Sequence, residues 1–213
     1  MNNINSSWSQ KEIIKHISEN RKSYKDLYLG EKILLDQFFK KNFSVLDLGC
    51  AQGGFINILN HLEKKYTYLG VDYNQKMLDL AKKKNPNFKF LNIKKNNFSK
   101  YINQKFDLVI IFGILHLNKD WKKIIKEAYK LSKKYVIFDL RECNKKISKN
   151  IYLNLIDSGK KIPYNILQKK KVENFLNSEF KNKKIVRVSY SGLPSKHSNH
   201  KSEIIFGNYC IYR

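Results

Sequence analysis

Cysteine is scarce in this 213-residue chain: Cys50, Cys143 and Cys210 stand far apart, with no CxxC pair. Such a set argues against a disulfide frame or a zinc site, so no metal is expected, and it suits a reducing cytoplasm, the expected location. Long apolar runs are missing too. The longest, Leu108 to Leu115, fits a buried strand and falls short of the roughly 20 residues that span a bilayer, so no membrane partner is expected. The polar start, Met1 to Gln10, shows no secretory signal. Acids are few, 18 against 42 lysines and arginines, for a formal net charge of +24. Arginine itself is confined to Arg21, Arg141, Arg187 and Arg213.

The excess of lysine creates a positive field that attracts anions. Two features weigh against a dedicated nucleic-acid face. The chain is also rich in Asn, Ile, Tyr and Phe, residues of A/T-rich codons, so genome composition accounts for much of the lysine. The lysines are dispersed, as at Lys82–Lys84, Lys122–Lys123, Lys169–Lys171 and Lys183–Lys184, on what read as polar helix faces. A solvated basic surface is the simpler reading.

The length suits one domain with a sizeable core, and neither a linker nor an internal repeat is evident. Ser9-Gln10-Lys11-Glu12 has the capping-box pattern ahead of Ile13, Ile14 and Ile17, predicting a helix. A second helix is expected over Glu31–Phe39, with Ile33, Leu34, Leu35, Phe38 and Phe39 facing the core. Strands then alternate with helices: strands near Ser44–Leu48, Tyr66–Val71, Phe88–Ile93, Phe106–Ile111 and Tyr135–Leu140, helices near Gly54–Leu62, Gln75–Lys83 and Trp121–Ser132. That order predicts a parallel sheet covered on both faces. Beyond it, Arg141–Lys161 is polar, with a short helix possible at Ile151–Ile156. A helix near Tyr164–Phe180 precedes strands at Ile185–Tyr190 and Glu203–Tyr212, which should pair antiparallel at one edge.

Function is concentrated in Val45-Leu46-Asp47-Leu48-Gly49-Cys50-Ala51-Gln52-Gly53-Gly54-Phe55. It reads as a buried strand that breaks into a glycine turn and opens a helix; Gly49 and Gly53 let the backbone approach a ligand closely. The next strand ends in Asp72. A glycine turn with a strand-end acid downstream is how an open α/β sheet holds a nucleoside, the acid accepting hydrogen bonds from ribose hydroxyls.

From about Phe43 onward this pattern resembles the class I S-adenosylmethionine-dependent methyltransferases. The resemblance rests on VLDLGCAQGGF (Val45–Phe55), LGVDYNQKML (Leu69–Leu78) and FDLVIIFGILHL (Phe106–Leu117). It implies a Rossmann-like, doubly wound α/β sheet of seven strands, mostly parallel with an antiparallel last strand, plus N-terminal helices. Within a single domain, residues 1–42 would form a helical lid, 43–140 the cofactor-binding core, and 141–213 the acceptor-side segment and terminal strand pair. S-adenosylmethionine would be the cofactor. The turn from Gly49 through Cys50 to Gly53 would cradle its methionine part, with Asp47 organising the loop. Asp72 would bind the ribose, Tyr73 would lie against the adenine, and Phe112 and Gly113 would face the reacting centre. The family usually has a middle glycine where this chain has Ala51. It also often has an acid after strand three, where Asn92 or Lys94 falls, so Asn92 or a backbone carbonyl would meet the adenine amino group. The Asn/Asp-Pro-Pro-Tyr/Phe motif of amino-methylating DNA enzymes is not found after strand four.

Methyl transfer from a sulfonium needs in-line placement, and a general base only for a hydroxyl or a protonated amine. His116, just past strand four, is a candidate base, with packing of the following helix as the alternative. His197 and His200, on the loop Ser191–Ser202, are further candidates; their His-x-x-His spacing is a weak metal signal. Arg141 follows strand five at the edge where ligands bind, and an arginine in a lysine-rich chain suggests a bidentate grip on a carboxylate or phosphate of the acceptor. A pair with Glu142 or Asp139 is the alternative. Arg21, with Tyr24 and Tyr28, would close over the methionine carboxylate. The expected activity is methylation of a small molecule, anionic or sugar-linked, with Arg141–Lys161 and Ser191–Ser202 as its acceptor lid. An RNA methyltransferase is the second reading, and a non-catalytic binding module on the same fold the third.

Overall fold

A computed structural model describes residues 23–62, 64–145, 147, 150–154 and 161–213. The capping box at Ser9–Glu12 and Arg21 lie outside these residues. Strands β1 (Phe43–Leu48), β2 (Tyr66–Asp72), β3 (Lys89–Asn92), β4 (Phe106–Ile111) and β5 (Ser132–Cys143) alternate with helices α1 (Leu29–Phe38), α2 (Phe55–His61), α3 (Gln75–Lys84) and α4 (Trp121–Leu131). The short strands β6 (Tyr152–Asn154), β7 (Lys161–Pro163) and β8 (Leu167–Gln168) lead into α5 (Lys169–Glu179), and β9 (Ile185–Gly192) and β10 (Ile204–Tyr212) close the chain.

The main sheet runs β3-β2-β1-β4-β5-β10-β9. Pairing is parallel from β3 to β5, while β10 is antiparallel to both β5 and β9. Strands buried on both faces explain the apolar runs of the sequence. Val45, Leu108, Ile110 and Ile137 face a layer built from Leu34, Leu35 and Phe38 of α1, Ile56 and Leu59 of α2, and Leu78 of α3. Leu46, Leu48, Val109 and Phe138 face the opposite layer of α4 and α5, with Trp121, Ile124, Ile125, Val172 and Phe175. On α4 the buried positions 121, 124, 125, 128 and 131 recur at helical spacing and turn Lys122, Lys123, Lys126 and Lys130 to the outside.

Three expectations need correction. Ile33 is not in the core: the buried stripe of α1 runs through Gly30, Leu34 and Phe38 beside Glu31 and Leu35, leaving Ile33 exposed. Of the possible helix at Ile151–Ile156, residues 152–154 are β6, which pairs antiparallel with β7, and residues 155 and 156 lie outside the described residues. The helix expected from Tyr164 starts only at Lys169, because the residues before it are drawn out as β8. The cause is β5, whose pairing with β4 ends at Phe138 although the strand continues to Cys143. Its overhanging backbone groups need partners, and β8 supplies them by pairing at Glu142 and Cys143.

Candidate active site

Where β1 ends, the chain turns through alternate left-handed residues, Gly49 at φ +87°, Ala51 at +46° and Gly53 at +73°. The turn is tied to β2 by two backbone bonds, from Gly49 N–H (2.8 Å) and Cys50 N–H (3.1 Å) to the Val71 carbonyl. A Cβ on Gly49 would lie 2.6 Å from Cγ2 of Ile114, so glycine is required there twice over, by conformation and by space. Gly53 N–H closes the turn onto the Cys50 carbonyl at 2.8 Å, and α2 begins two residues later.

Ala51 occupies the position of the family's middle glycine in a conformation that strains a side-chain-bearing residue by roughly 1–2 kcal/mol. Ala51→Gly is therefore expected to stabilise the protein by roughly 0.5–1 kcal/mol, after the entropy glycine adds to the unfolded chain. Urea unfolding with an unchanged m-value would show it; Gly49→Ala should shift the midpoint the other way, and further.

Asp72 joins the turn to the end of β2. Its Oδ2 accepts from Ala51 N–H at 3.0 Å and its Oδ1 from Asn74 N–H at 2.9 Å. Burial raises its pKa, against the lowering effect of these backbone donors. A carboxylate offers about four acceptor positions, so it keeps capacity for a ligand hydroxyl. Asp47 lies beneath the turn, buried, and accepts the Tyr68 hydroxyl at 2.7 Å, binding β1 to β2. The Cys50 thiol is buried, and that burial, with Asp47 and Asp72 nearby, pushes its pKa well up.

Asn92 donates its amide to the carbonyls of Tyr73 (2.9 Å) and Asp72 (3.3 Å), which makes Oδ1 its acceptor group. An adenine amino group would need such an acceptor. Lys94 is exposed. Half-buried Tyr73 follows Asp72 directly. Phe112 packs on Phe55 at 5.7 Å between ring centres, joining the end of β4 to the start of α2. Gly113, at φ +75°, donates its N–H to Oδ1 of Asp139 at 2.6 Å.

Asp139 leads to the acceptor side. Its Oδ2 lies 2.6 Å from Nη1 of Arg141, with both side chains almost wholly buried. Alternation along β5 puts the two on one face. The Arg141 guanidinium lies over Phe206 at 4.4 Å and Tyr28 at 5.3 Å. Burial opposes its charge, but Asp139, Tyr164, Tyr28 and Glu31 outweigh burial and raise its pKa. Through Nη1, Arg141 makes the pair with Asp139 that was the alternative to an acceptor grip. Glu142 points to the other face, where it takes Arg187 at 2.9 Å and the Tyr209 hydroxyl.

His116 is buried and stands edge-on to Tyr164 at 5.2 Å, a packing arrangement rather than an open base. His197 and His200 are half-buried on the loop after β9. That loop is joined to β6 by Asn154 N–H to the His197 carbonyl (2.9 Å) and Asn199 N–H to the Tyr152 carbonyl (3.1 Å). The two expected lid segments are therefore one structure where they are described. The Tyr24 hydroxyl donates to Asp36 at 2.6 Å and its ring stacks on His61. Tyr28 instead covers Arg141. Sequence reasoning missed Tyr164, Tyr190 and Phe206. Only the cross-strand register, Arg141 opposite Phe206 and Phe206 opposite Tyr190, brings the last two together.

Residues 39–180 match a family described as a methyltransferase domain. A putative methyltransferase of Invertebrate iridescent virus 6 is 31% identical over 124 residues, which are 55% of this chain and 45% of that protein. The chain thus spans less than half the length of that curated relative. An S-adenosylmethionine-dependent methyltransferase from Methanosarcina mazei superposes with a TM-score of 0.63 at 15% identity, over 88% of this chain and 98% of that one. Magnesium protoporphyrin IX methyltransferase from Synechocystis, with bound S-adenosylmethionine, gives 0.54 at 14% identity, over 87% and 76%.

Proposed function

Because the chain belongs to the class I S-adenosylmethionine-dependent methyltransferase family, we propose that it moves a methyl group from S-adenosylmethionine to a small acceptor. The observation that carries this is the turn of left-handed residues 49, 51 and 53 fastened to Asp72. The residues fit the group: a glycine cradle for the methionine part, a carboxylate with capacity for the ribose, and the Asn92 oxygen for the adenine amino group. When bound, S-adenosylmethionine supplies an already activated methyl. The protein's own task is to hold the acceptor in line, where proximity is worth roughly 7–11 kcal/mol.

The acceptor lies beyond Gly113, against Tyr28, Tyr164, Tyr190 and Phe206. Tyr190 and Phe206 stack face to face at 5.1 Å, and the buried Tyr190 hydroxyl has no hydrogen-bond partner among the described residues. An orphaned buried hydroxyl costs about 1–3 kcal/mol, which a polar group on a flat acceptor would recover. An acid gripped by Arg141 loses support, because that guanidinium already serves Asp139.

Calorimetric titration with S-adenosylmethionine tests the reading. Saturable binding is expected, together with transfer of labelled methyl to a small-molecule fraction of a metabolite extract. No binding at millimolar ligand would leave a non-catalytic module on this fold. One observation bears on RNA as the acceptor: a groove of about 590 Å³ beside α5, lined by Lys169, Lys170, Asn144, Asn174 and Asn177, although Glu173 also lines it and lies 3.7 Å from Lys169. Phosphate contacts there would make RNA binding fall steeply with salt. For a small-molecule enzyme we expect no RNA retention at physiological ionic strength, and filter binding across a salt series decides between the two.

A further inference from the structure

The main sheet ends differently at its two edges. β3 is four residues long, exposes Lys89, and is followed by the exposed Lys94 and Lys95. A short edge bearing lysine resists pairing with another strand. β9 has no such protection. Its eight residues pair with β10 in one unbroken register from Ile185 to Gly192, without a bulge, a proline or a lysine. Its single charge, Arg187, is taken up by Glu142 at 2.9 Å, and residues 188–195 carry none. On a chain of net charge +24, this edge is where a second copy meets little repulsion.

The hydrogen-bond phase of the edge follows from Tyr212 N–H, which donates to the Lys184 carbonyl at 3.0 Å. Even-numbered residues of β9 therefore bond β10, and Ile185, Arg187, Ser189 and Ser191 turn their N–H and C=O groups outward. Among the described residues β10 is the one strand paired with β9, and these outward groups have no partner. A second β9 running antiparallel would satisfy all of them if a two-fold axis passed through Val188. Ile185 would then face Ser191 of the second copy and Arg187 would face its Ser189, each pair exchanging two bonds. On the face toward α1, where Val186 and Val188 pack, Val188 would meet itself and Val186 would meet Tyr190. Such apolar cross-strand pairs stabilise a sheet. Lys183 and Lys184 would fall opposite Leu193 and Gly192, so no like charges are opposed. A register step in one direction sets Arg187 against itself. In the other it leaves Ile185 beyond the end of the partner strand.

Helix α1 adds apolar surface beside this edge. Lys32 and Asp36 turn toward Tyr24, whose ring stacks on His61 of α2. Helical spacing puts Leu29 and Ile33 on the opposite flank, next to Gly30, which abuts Asn208 of β10. Leu29 is 57% exposed and Ile33 40%, and Leu193, just past β9, is 71% exposed. The geometry points to a two-fold dimer in which the β9 strands of two copies pair antiparallel about Val188, with Leu29 and Ile33 of each α1 beside the joint.

Sedimentation velocity of the full chain tests this between about 1 and 100 µM, where an interface of standard size opposed by like charge should dissociate. The sedimenting mass is expected to double across that range. Added salt should strengthen the dimer roughly severalfold by screening the net charge. Ser189→Lys sets a lysine against Arg187 of the second copy. It should leave a monomer with an unchanged melting temperature, since Ser189 is exposed. Val188→Cys reads the register: its Cα atoms should lie about 4.5 Å apart across the axis, so a mild oxidant should link two chains. Ser189→Cys, two residues out of step with its own copy, should not link. A native protein still monomeric at the upper concentration overturns the proposal. So does a dimer that weakens with salt, one that withstands Ser189→Lys, or one whose Val188→Cys form does not link. Slow amide exchange at residues 187, 189 and 191 of a monomer would mean that another part of the same chain covers the edge, which overturns it as well.

Discussion

Asp72→Ala should weaken S-adenosylmethionine binding by at least about a hundredfold. Two hydrogen bonds from ribose hydroxyls to a carboxylate, each contributing about 1.5–3 kcal/mol, supply about 3 kcal/mol or more. The substitution also releases Ala51 N–H and Asn74 N–H, both held by this side chain, so the turn loses its tie to β2 as well. Asp72→Asn separates the two effects. The amide keeps the shape, but its NH2 must face one of the two backbone N–H groups, which leaves one donor opposed by another. Affinity should therefore fall in both variants, further in alanine. Calorimetric titration gives the ratio directly, and near-native affinity in Asp72→Ala would remove the ribose from this position.

Asp139→Ala is expected to be among the most destabilising single changes in the molecule, at about 3–5 kcal/mol, because it strands a buried guanidinium. For a chain of this size the melting temperature falls by roughly 2–4 °C per kcal/mol, so a drop of about 6–20 °C is expected. Arg141→Ala should do similar damage by leaving the carboxylate alone. The double variant Asp139→Leu/Arg141→Met is the informative partner. Apolar residues of similar volume avoid the desolvation penalty, so it should regain much of the lost stability. A double variant no more stable than either single one would mean that the pair's surroundings, rather than its stranded charge, set the loss.

The legible parts of this fold were those decided locally. The apolar run of β4 reads as a strand because both its faces are buried, and its bounds, Phe106–Ile111, stand as the pattern set them. Gly49, Gly53 and Asp72 were legible for the same reason: a left-handed turn and a strand-end acid are features of a few neighbouring residues. Residues 164–168 were not. Their apolar spacing suits helix and strand alike, and the pairing of Leu167 and Gln168 with the overhanging end of β5 makes the choice, which no window on the sequence contains. Arg141 stood between. Its spacing to Asp139 allows the pair on one strand face, but only packing under Tyr28 and Phe206 seals it. Tyr164 gave no signal, since its ring partner His116 comes from a segment far away in the chain.

The reversed direction of β10 has a practical consequence. Starting opposite Glu142 and ending opposite Tyr135, this strand returns the chain to the edge of the sheet away from the ligand turn. Arg213 N–H is fastened there to the Lys134 carbonyl at 2.9 Å. An affinity tag or surface tether added after Arg213 therefore projects from the back of the molecule. Immobilised that way, the protein presents its ligand-facing edge to solution, the orientation that an acceptor screen on a sensor surface requires.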